Sequence, residues 1–212
     1  MRDFNQFNRK YVKRSIIQQY QLNLVGKLSK IFLTNDVCDE WPSMGNEYNL
    51  SIYSPRIDVA VGPFATHERL GNCYDQMIHY PRSELFFRKL VDYNRINLEM
   101  YDGFVEGSSF EEIRYLNHNA RCLMAIEIEN HVSRKHLMGG AINASALGRF
   151  GVVLPWTNEK LRAIVKLVRY LRYLRYAEKN TFDTTNLLII TKEQMDRAIE
   201  EALFQENLQA NQ

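Results

Sequence analysis

Three acidic residues lie in apolar segments of the chain, where a carboxylate is costly unless something neutralises it. Asp58 stands in the apolar run of residues 57–64, and Glu127 and Glu129 stand in the apolar run of residues 121–129. Side chains two residues apart on a strand point to the same face, so the two glutamates are expected to project together. Like charges at this separation repel each other unless a cation lies between them. Hard oxygen ligands suit Mg²⁺ or Mn²⁺, and the pattern therefore predicts a site for a divalent cation.

The segments that carry these acids are predicted to be β-strands. The run at 57–64 is ended by Gly62-Pro63, and the run at 121–129 is followed by a helix over residues 134–147. If the two strands pair, all three carboxylates can converge. Ser133 is expected to cap the helix, whose N-terminal amides favour anions such as phosphate.

The hydrophobic periodicity of the rest of the chain predicts alternating helices and strands. A loop is expected over residues 35–46. Helices are expected over residues 1–33, 84–100 after a Ser83 cap, 157–179 after Thr157, and 192–204 after a Thr191/Gln194 capping box, and strands over 48–53, 150–154 and 186–190. Crossovers of this length indicate parallel pairing and an α/β fold. Residues 1–212 are expected to form one domain, with residues 65–120 as an insertion between two core strands.

The charges are unevenly distributed along the chain. The 212 residues carry 27 Lys and Arg against 25 Asp and Glu, a formal net charge of +2, which excludes a histone-like polycation. Residues 1–30 nevertheless contain seven basic residues and one acidic residue, and residues 151–180 contain seven and two. A near-neutral total can hide separate patches, so nucleic-acid binding stays open.

The cysteine spacing and the hydropathy of the chain indicate the cellular compartment in which the protein is expected. Cys38, Cys73 and Cys122 form no CxxC pair and no zinc-ligand spacing, so they are expected to be buried free thiols in a reducing cytoplasm. No apolar stretch approaches the ~18 residues of a membrane span. The chain is therefore expected to be cytoplasmic, without a membrane partner.

The helix over residues 157–179 carries basic residues at helical spacing. They include Arg162, Lys166 and Arg169, and Tyr170, Tyr173 and Tyr176 are interleaved with them. This pattern suits a nucleic-acid surface, but it also suits a solvated basic face and tyrosines that pack. The small residues of the helix over 134–147 favour close packing on the sheet. The alternative is close approach of a DNA backbone, which would let Asn143 reach phosphate.

With Pro55-x-x-Asp58 followed by Glu127-x-Glu129, the chain resembles the PD-(D/E)XK nuclease superfamily, which has the restriction-endonuclease-like fold. The family core is helix, three strands, helix, strand, and the predicted elements follow that order. The resemblance implies a mixed central sheet flanked by helices. Asp58 corresponds to the first acid of the motif and Glu127 to the second. Glu129 stands where lysine is usual, and the proline is displaced from its place directly before the aspartate.

The resemblance also implies a chemistry. Asp58, Glu127 and the Ile128 carbonyl would hold Mg²⁺ or Mn²⁺, and Glu129 would be a further ligand or would orient water. Lys135 is the candidate for a relocated lysine that neutralises the phosphate, and Arg134 lies beside it. The expected function is metal-dependent cleavage of DNA, with no organic cofactor. Superfamily members that cut both strands are often dimers, which by analogy allows a homodimer.

Two other interpretations remain. The chain can be a non-catalytic nucleic-acid- or protein-binding module of the same fold, which the glutamate in place of lysine favours. It can also be an unrelated α/β protein whose E-x-E is incidental. A fold alone does not decide between them.

Overall fold

The computed structural model describes residues 15–44, 54–102, 109–130, 133–179 and 182–209. Within these ranges the elements are, in chain order, α1 (Ile16–Phe32), β1 (Val37–Pro42), β2 (Arg56–Val61), α2 (Gly71–His79), α3 (Pro81–Asp102), α4 (Phe110–Ile113), β3 (Cys122–Glu129), α5 (Arg134–Leu147), β4 (Gly148–Pro155), α6 (Asn158–Tyr176), β5 (Leu187–Ile189) and α7 (Lys192–Gln209).

The five strands form one mixed sheet in the order β1-β2-β3-β4-β5. β2 runs antiparallel to both of its neighbours, whereas β3, β4 and β5 are parallel to one another. The two parallel connections each contain a helix, α5 or α6, as a crossover requires. The prediction of an α/β fold with a mixed central sheet flanked by helices is confirmed at this level.

Helices cover both faces of the sheet, because its central strands are apolar on both sides. One core cluster joins the sheet to α1, α7 and the first half of α3, and it includes Leu24, Phe87 and Ile199. The other joins the sheet to α5 and α6, and it includes Leu137 and Val168. The sheet is therefore the middle of three layers, and the acids of β2 and β3 must emerge at its edges or ends.

The N-terminal part differs from the sequence prediction in one strand. A loop was predicted over residues 35–46, and this is wrong, because β1 lies there. Only its Val37 and Trp41 are buried, so the strand shows almost no apolar pattern. The predicted strand at 48–53 lies outside the described residues. The predicted first helix is described from Ile16, where Ser15 and Gln18 form a capping box, and residues 1–14 lie outside the described part.

The segment between β2 and β3 contains α2, α3 and α4, within the predicted insertion at 65–120. The prediction that Ser83 caps α3 is wrong. It lies inside the helix and is buried, with its hydroxyl group 3.5 Å from the Ile31 carbonyl. Two buried amides of α3 bind the edge strand β5: Asn94 Oδ1 accepts from the Ile189 amide and Asn97 Nδ2 donates to its carbonyl, each at 2.8 Å. The inserted helix thus completes the hydrogen bonding of the sheet edge.

The two C-terminal helices begin at the positions that their capping residues indicated. Thr157 accepts a hydrogen bond from the Lys160 amide, and α6 ends at Tyr176, three residues before the predicted end. The predicted capping box of α7 has both of its bonds, between Thr191 and Gln194. Ser133 is the N-cap residue of α5 but makes no side-chain cap bond.

The three cysteines are free, as expected, but only Cys122 is buried. Cys38 is half-buried and Cys73 is exposed, so the prediction of three buried thiols is wrong. No helix within the described part of the chain combines the length and the apolar character that a membrane span needs.

The small residues of α5 pack the helix closely against the sheet. A Cβ atom built on Gly151 of β4 would lie 2.8 Å from backbone atoms of Ala144 and Ser145. Such a distance is far inside van der Waals contact, so the helix backbone and the strand backbone touch only because Gly151 has no side chain. The structure thus supports the packing interpretation of this segment.

We expect Gly151→Ala to lower the free energy of unfolding by about 1–3 kcal/mol, because α5 must move away from β4. Gly26→Ala is the matched control: it lies inside α1 with nothing within 4 Å of the added Cβ. That change should raise the free energy of unfolding by about 0.5–1 kcal/mol through helix propensity. Urea unfolding followed by circular dichroism measures both, and equal effects of the two changes would contradict the close packing.

Candidate functional site

The acids of β2 and β3 meet where the pairing of these two strands ends. The antiparallel register pairs Val61 with Met124, Ala60 with Ala125 and Val59 with Ile126. One step further along the same register, Asp58 comes opposite Glu127. Two predicted site residues, from the first third and the second half of the chain, are therefore brought together at the end of the ladder.

Beyond the last pair of the ladder, the Asp58 carboxylate forms a hydrogen bond with the backbone of β3. Its Oδ2 atom accepts a hydrogen bond from the Ile128 amide at 2.7 Å. A bond from a backbone amide to an ionised carboxylate is short and strong, so it orients the side chain. The second carboxylate oxygen of Asp58 is left for other partners.

β1 adds a fourth acid that the sequence pattern did not reveal. Asp39 pairs with Val59 and Trp41 with Ile57, so Glu40 of β1 lies opposite Asp58. Glu40 has a left-handed backbone with φ of 50°. This conformation costs about 1–2 kcal/mol for a residue with a Cβ atom. Residues with such strain cluster at functional sites.

α1 contributes a buried amide to the same place. Gln21 is only 3% exposed, and its Nε2 atom donates a long hydrogen bond of 3.5 Å to Glu40 Oε1. Gln21 also lies close enough to Asp58 to favour its ionised form, which opposes the rise of the Asp58 pKa. Neither Gln21 nor Glu40 was predicted, because each is brought to the site from a distant part of the chain.

Glu127 lies between β3 and α5. A Cβ atom on Gly140 of α5 would lie 3.6 Å from Glu127 Cβ and 3.9 Å from its carboxyl carbon. The glycine thus leaves room for the glutamate side chain beneath the helix. Glu129, two residues further along β3, is 8% exposed. The charge of Glu129 contributes to the raised pKa of Glu127.

Burial and neighbouring charge both raise the pKa values of the paired acids. Burial raises the pKa of Asp58 to about 6, with a smaller contribution from Glu40 and Glu129, while the Ile128 amide and Gln21 oppose the shift. Burial also raises the pKa of Glu127 to about 9, and the charges of Asp58, Glu129 and Glu40 act in the same direction. No described basic side chain forms an ion pair with Asp58 or Glu127.

The ion pair between Arg56 and Glu40 does not compensate these charges. Arg56 Nε lies 3.5 Å from Glu40 Oε2, with 67% and 46% of the two side chains exposed. Exposed pairs of this kind contribute only about 0–1 kcal/mol. Burying an unpaired carboxylate costs several kcal/mol, so Arg56 cannot offset Asp58 and Glu127.

The donor set fits a hard divalent cation in its chemistry. Carboxylate and carbonyl oxygens are the ligands that Mg²⁺ prefers, and a cation would remove the repulsion that raises these pKa values. In the side-chain positions of this structure, however, the described residues include no group of three or more His, Cys, Asp or Glu arranged to hold a metal ion. Binding at this site would therefore require side chains of the site to move.

Lys135 is not brought to the acids. Leu137, Gly140, Ala141 and Ala144 face the sheet, and at ~100° per residue Lys135 lies on the opposite side of α5. It is exposed and makes no hydrogen bond or ion pair with a described residue. A contact between Lys135 and substrate phosphate stays a prediction, but the lysine does not neutralise the site.

A different lysine reaches the end of β3. Lys160, in the first turn of α6, donates a hydrogen bond from Nζ to Asn130 Oδ1 at 2.8 Å, and Asn130 directly follows Glu129. The Glu129 carbonyl in turn accepts from the Trp156 amide at 3.0 Å. The parallel arrangement of β3 and β4 places the start of α6 at this strand end. No local spacing in the sequence indicates this contact.

The predicted nucleic-acid contacts are distributed over α5 and α6. Arg134 is the first residue of α5, and Asn143 is half-buried in the middle of that helix. Arg162, Lys166 and Arg169 are all exposed on α6. Their contact with DNA stays a prediction.

Comparisons of the chain with models of protein families, with curated proteins and with solved structures found no match.

We predict that Glu127→Gln stabilises the protein increasingly as the pH rises from about 5 to 9 in the presence of a chelator. The folded state keeps the Glu127 proton up to a pKa of about 9, whereas the unfolded chain releases it near 4.5. Wild-type stability therefore falls through this window by up to about 1.4 kcal/mol per pH unit, and the glutamine variant escapes this loss.

Urea unfolding at several pH values measures the difference between the two proteins. Glu99→Gln is the matched control, because Glu99 is exposed on α3 and makes no bond with a described residue. A difference between Glu127→Gln and wild type that stays constant from pH 5 to pH 9 would show that Glu127 ionises normally in the folded protein.

Proposed function

We propose that the chain is a divalent-metal-dependent phosphodiesterase that acts on DNA. The observation that carries this proposal is the meeting of Asp58 and Glu127 at the end of the β2–β3 ladder, half-buried and without a basic partner among the described residues. A protein gains no stability from such a pair, so a function is the better explanation. A site that binds a cation is the function that these oxygen donors fit.

The order of elements supports the same proposal. α1, the strands β1 to β3, α5 and β4 follow the helix, three strands, helix, strand order of the PD-(D/E)XK nucleases. Asp58 lies on the second strand and Glu127 and Glu129 on the third, as the two acids of the resemblance require. α2, α3 and α4 lie between these two strands. This order supports the resemblance without testing it independently.

The side chains of the site have separate roles in this proposal. Asp58, held by the Ile128 amide, and Glu127 would hold Mg²⁺ together with the Ile128 carbonyl. A bound Mg²⁺ would lower the pKa of a water molecule and stabilise charge on the scissile phosphate. Glu129 is a further ligand or orients the attacking water. Gln21 favours the ionised form of Asp58, and Glu40 adds negative charge that favours a cation.

A non-catalytic module of the same fold is the second candidate. It is favoured by the absence, among the described residues, of an arranged group of metal ligands, and by Glu129 at the place of the usual lysine. Calorimetric titration with Mg²⁺ and Mn²⁺ separates the two candidates when it is combined with a cleavage assay. A module that binds DNA but neither binds metal nor cleaves would replace the enzyme.

We expect Asp58→Ala and Glu127→Gln each to lower Mg²⁺-dependent cleavage of DNA by about 100-fold or more, because each removes a ligand that stabilises charge in the transition state. A fluorescent oligonucleotide assay measures the rate, and thermal unfolding shows that the variants fold. Glu99→Gln again serves as the control and should cleave as wild type does. Equal rates in wild type and both site variants would eliminate the proposed site.

The position of the lysines gives a separate prediction. Lys160→Ala should lower the cleavage rate by about tenfold or more, because its ammonium group is the one that reaches the end of β3 beside Glu129. Lys135→Ala should change the rate by less than about threefold, because that side chain lies on the far side of α5. The reverse order of effects would restore Lys135 as the relocated lysine.

A further inference from the structure

The exposed side of α6 carries three basic residues and three tyrosines. At ~100° per residue they fall on one face of the helix, opposite the buried Leu161, Ile164, Val168 and Leu171. The face consists of Arg162, Lys166, Arg169, Tyr170, Tyr173 and Tyr176. Residues 160–177 contain no Asp or Glu, so this face carries only positive charge beyond Glu159 in the first turn of the helix.

The three tyrosines of this face are not used for packing. Tyr170 is 51% exposed, Tyr173 65% and Tyr176 89%. Within the described residues none of the three rings stacks on another ring or makes a hydrogen bond. Tyrosine is only a moderate helix former, so local structure does not require it three times at a spacing of three residues. The tyrosines therefore point to a partner with flat apolar groups.

The face starts beside the acid site. Lys160 binds Asn130 at the end of β3, and α6 runs from there to Tyr176 over about 24 Å at ~1.5 Å per residue. A single DNA strand with a rise of ~3.4 Å would cover this distance with about seven nucleotides. A strand whose phosphate occupies the acid site can therefore continue along α6.

We propose that this face of α6 binds single-stranded DNA, with bases stacked on Tyr170, Tyr173 and Tyr176 and phosphates bound by Arg162, Lys166 and Arg169, which lie nearer the start of the helix. A duplex hides its base faces and offers mainly phosphates and groove edges, so it would leave the tyrosines unused. Its role as a substrate path rests on the proposed function, whereas binding itself does not depend on cleavage. The competing occupants are a second copy of the chain and an anionic membrane surface.

The test measures binding in EDTA, where cleavage cannot occur. The probes are a fluorescent oligothymidylate of about 16 nucleotides and a duplex of the same length, followed by anisotropy. The combined Tyr170→Ala, Tyr173→Ala and Tyr176→Ala variant should raise the Kd for the single strand by about 30-fold or more, because the variant lacks the rings on which the bases stack. Its Kd for the duplex should change by less than about threefold.

Two control variants distinguish stacking from other causes. The corresponding triple change to Phe keeps the rings and should bind the single strand within about threefold of wild type. Tyr80→Ala removes an exposed tyrosine at the end of α2, also 51% exposed, and should leave binding unchanged. Equal single-strand binding by wild type and the triple Ala variant would overturn the proposal. The proposal would also be overturned if the triple Ala change weakened only self-association, or only binding to vesicles of anionic phospholipid.

The same proteins separate this proposal from the proposed function. Hydrolysis of a small phosphodiester, bis(p-nitrophenyl) phosphate, in Mg²⁺ tests the acid site without using α6. Single-strand binding that depends on the tyrosines, with no hydrolysis that depends on Asp58, would uphold the α6 surface and overturn the nuclease. Hydrolysis that depends on Asp58 but single-strand binding indifferent to the tyrosines would uphold the nuclease and overturn the α6 surface.

Discussion

Two carboxylates held largely out of water at the end of one strand ladder are the constraint on which the site depends. Backbone pairing of β2 and β3 stops after Val59 and Ile126, and Asp58 then accepts the Ile128 amide in place of a backbone carbonyl. Glu127 is confined beneath α5. Because an unpaired buried carboxylate costs several kcal/mol, this end of the ladder is stable only when the acids keep protons or share a cation.

The surrounding elements are arranged to tolerate this cost. Close packing of α5 on β4, which Gly151 allows, and the space that Gly140 leaves over Glu127 keep the helix near the sheet. On the other side, Gln21 of α1 supplies an amide to Asp58 and Glu40. Glu40, next to Asp58, has a strained left-handed backbone conformation. Fold stability is obtained elsewhere, from two apolar clusters on the faces of the sheet.

Elements with strong local signals could be predicted from the sequence. The apolar run of β3, the Thr157 cap of α6 and the Thr191/Gln194 capping box of α7 all mark their positions within a few residues. β1 could not be predicted, because most of its side chains face solvent and a strand of that kind is defined by its neighbour. The sequence pattern predicted that Asp58 and Glu127 lie on strands, but it left open whether these two strands pair. Gln21, Glu40 and Lys160 reach the site through tertiary packing, which leaves no spacing to recognise.

Anomalous diffraction from crystals grown with Mn²⁺ tests whether Asp58, Glu127 and the Ile128 carbonyl together hold a divalent cation. We expect one anomalous peak at the end of the β2–β3 ladder, at ~2.0–2.2 Å from oxygens of Asp58 and Glu127. The peak should be absent from crystals of Asp58→Ala. Well-ordered crystals of the wild type that show no peak there, with Mn²⁺ bound elsewhere on the chain, would contradict the claim.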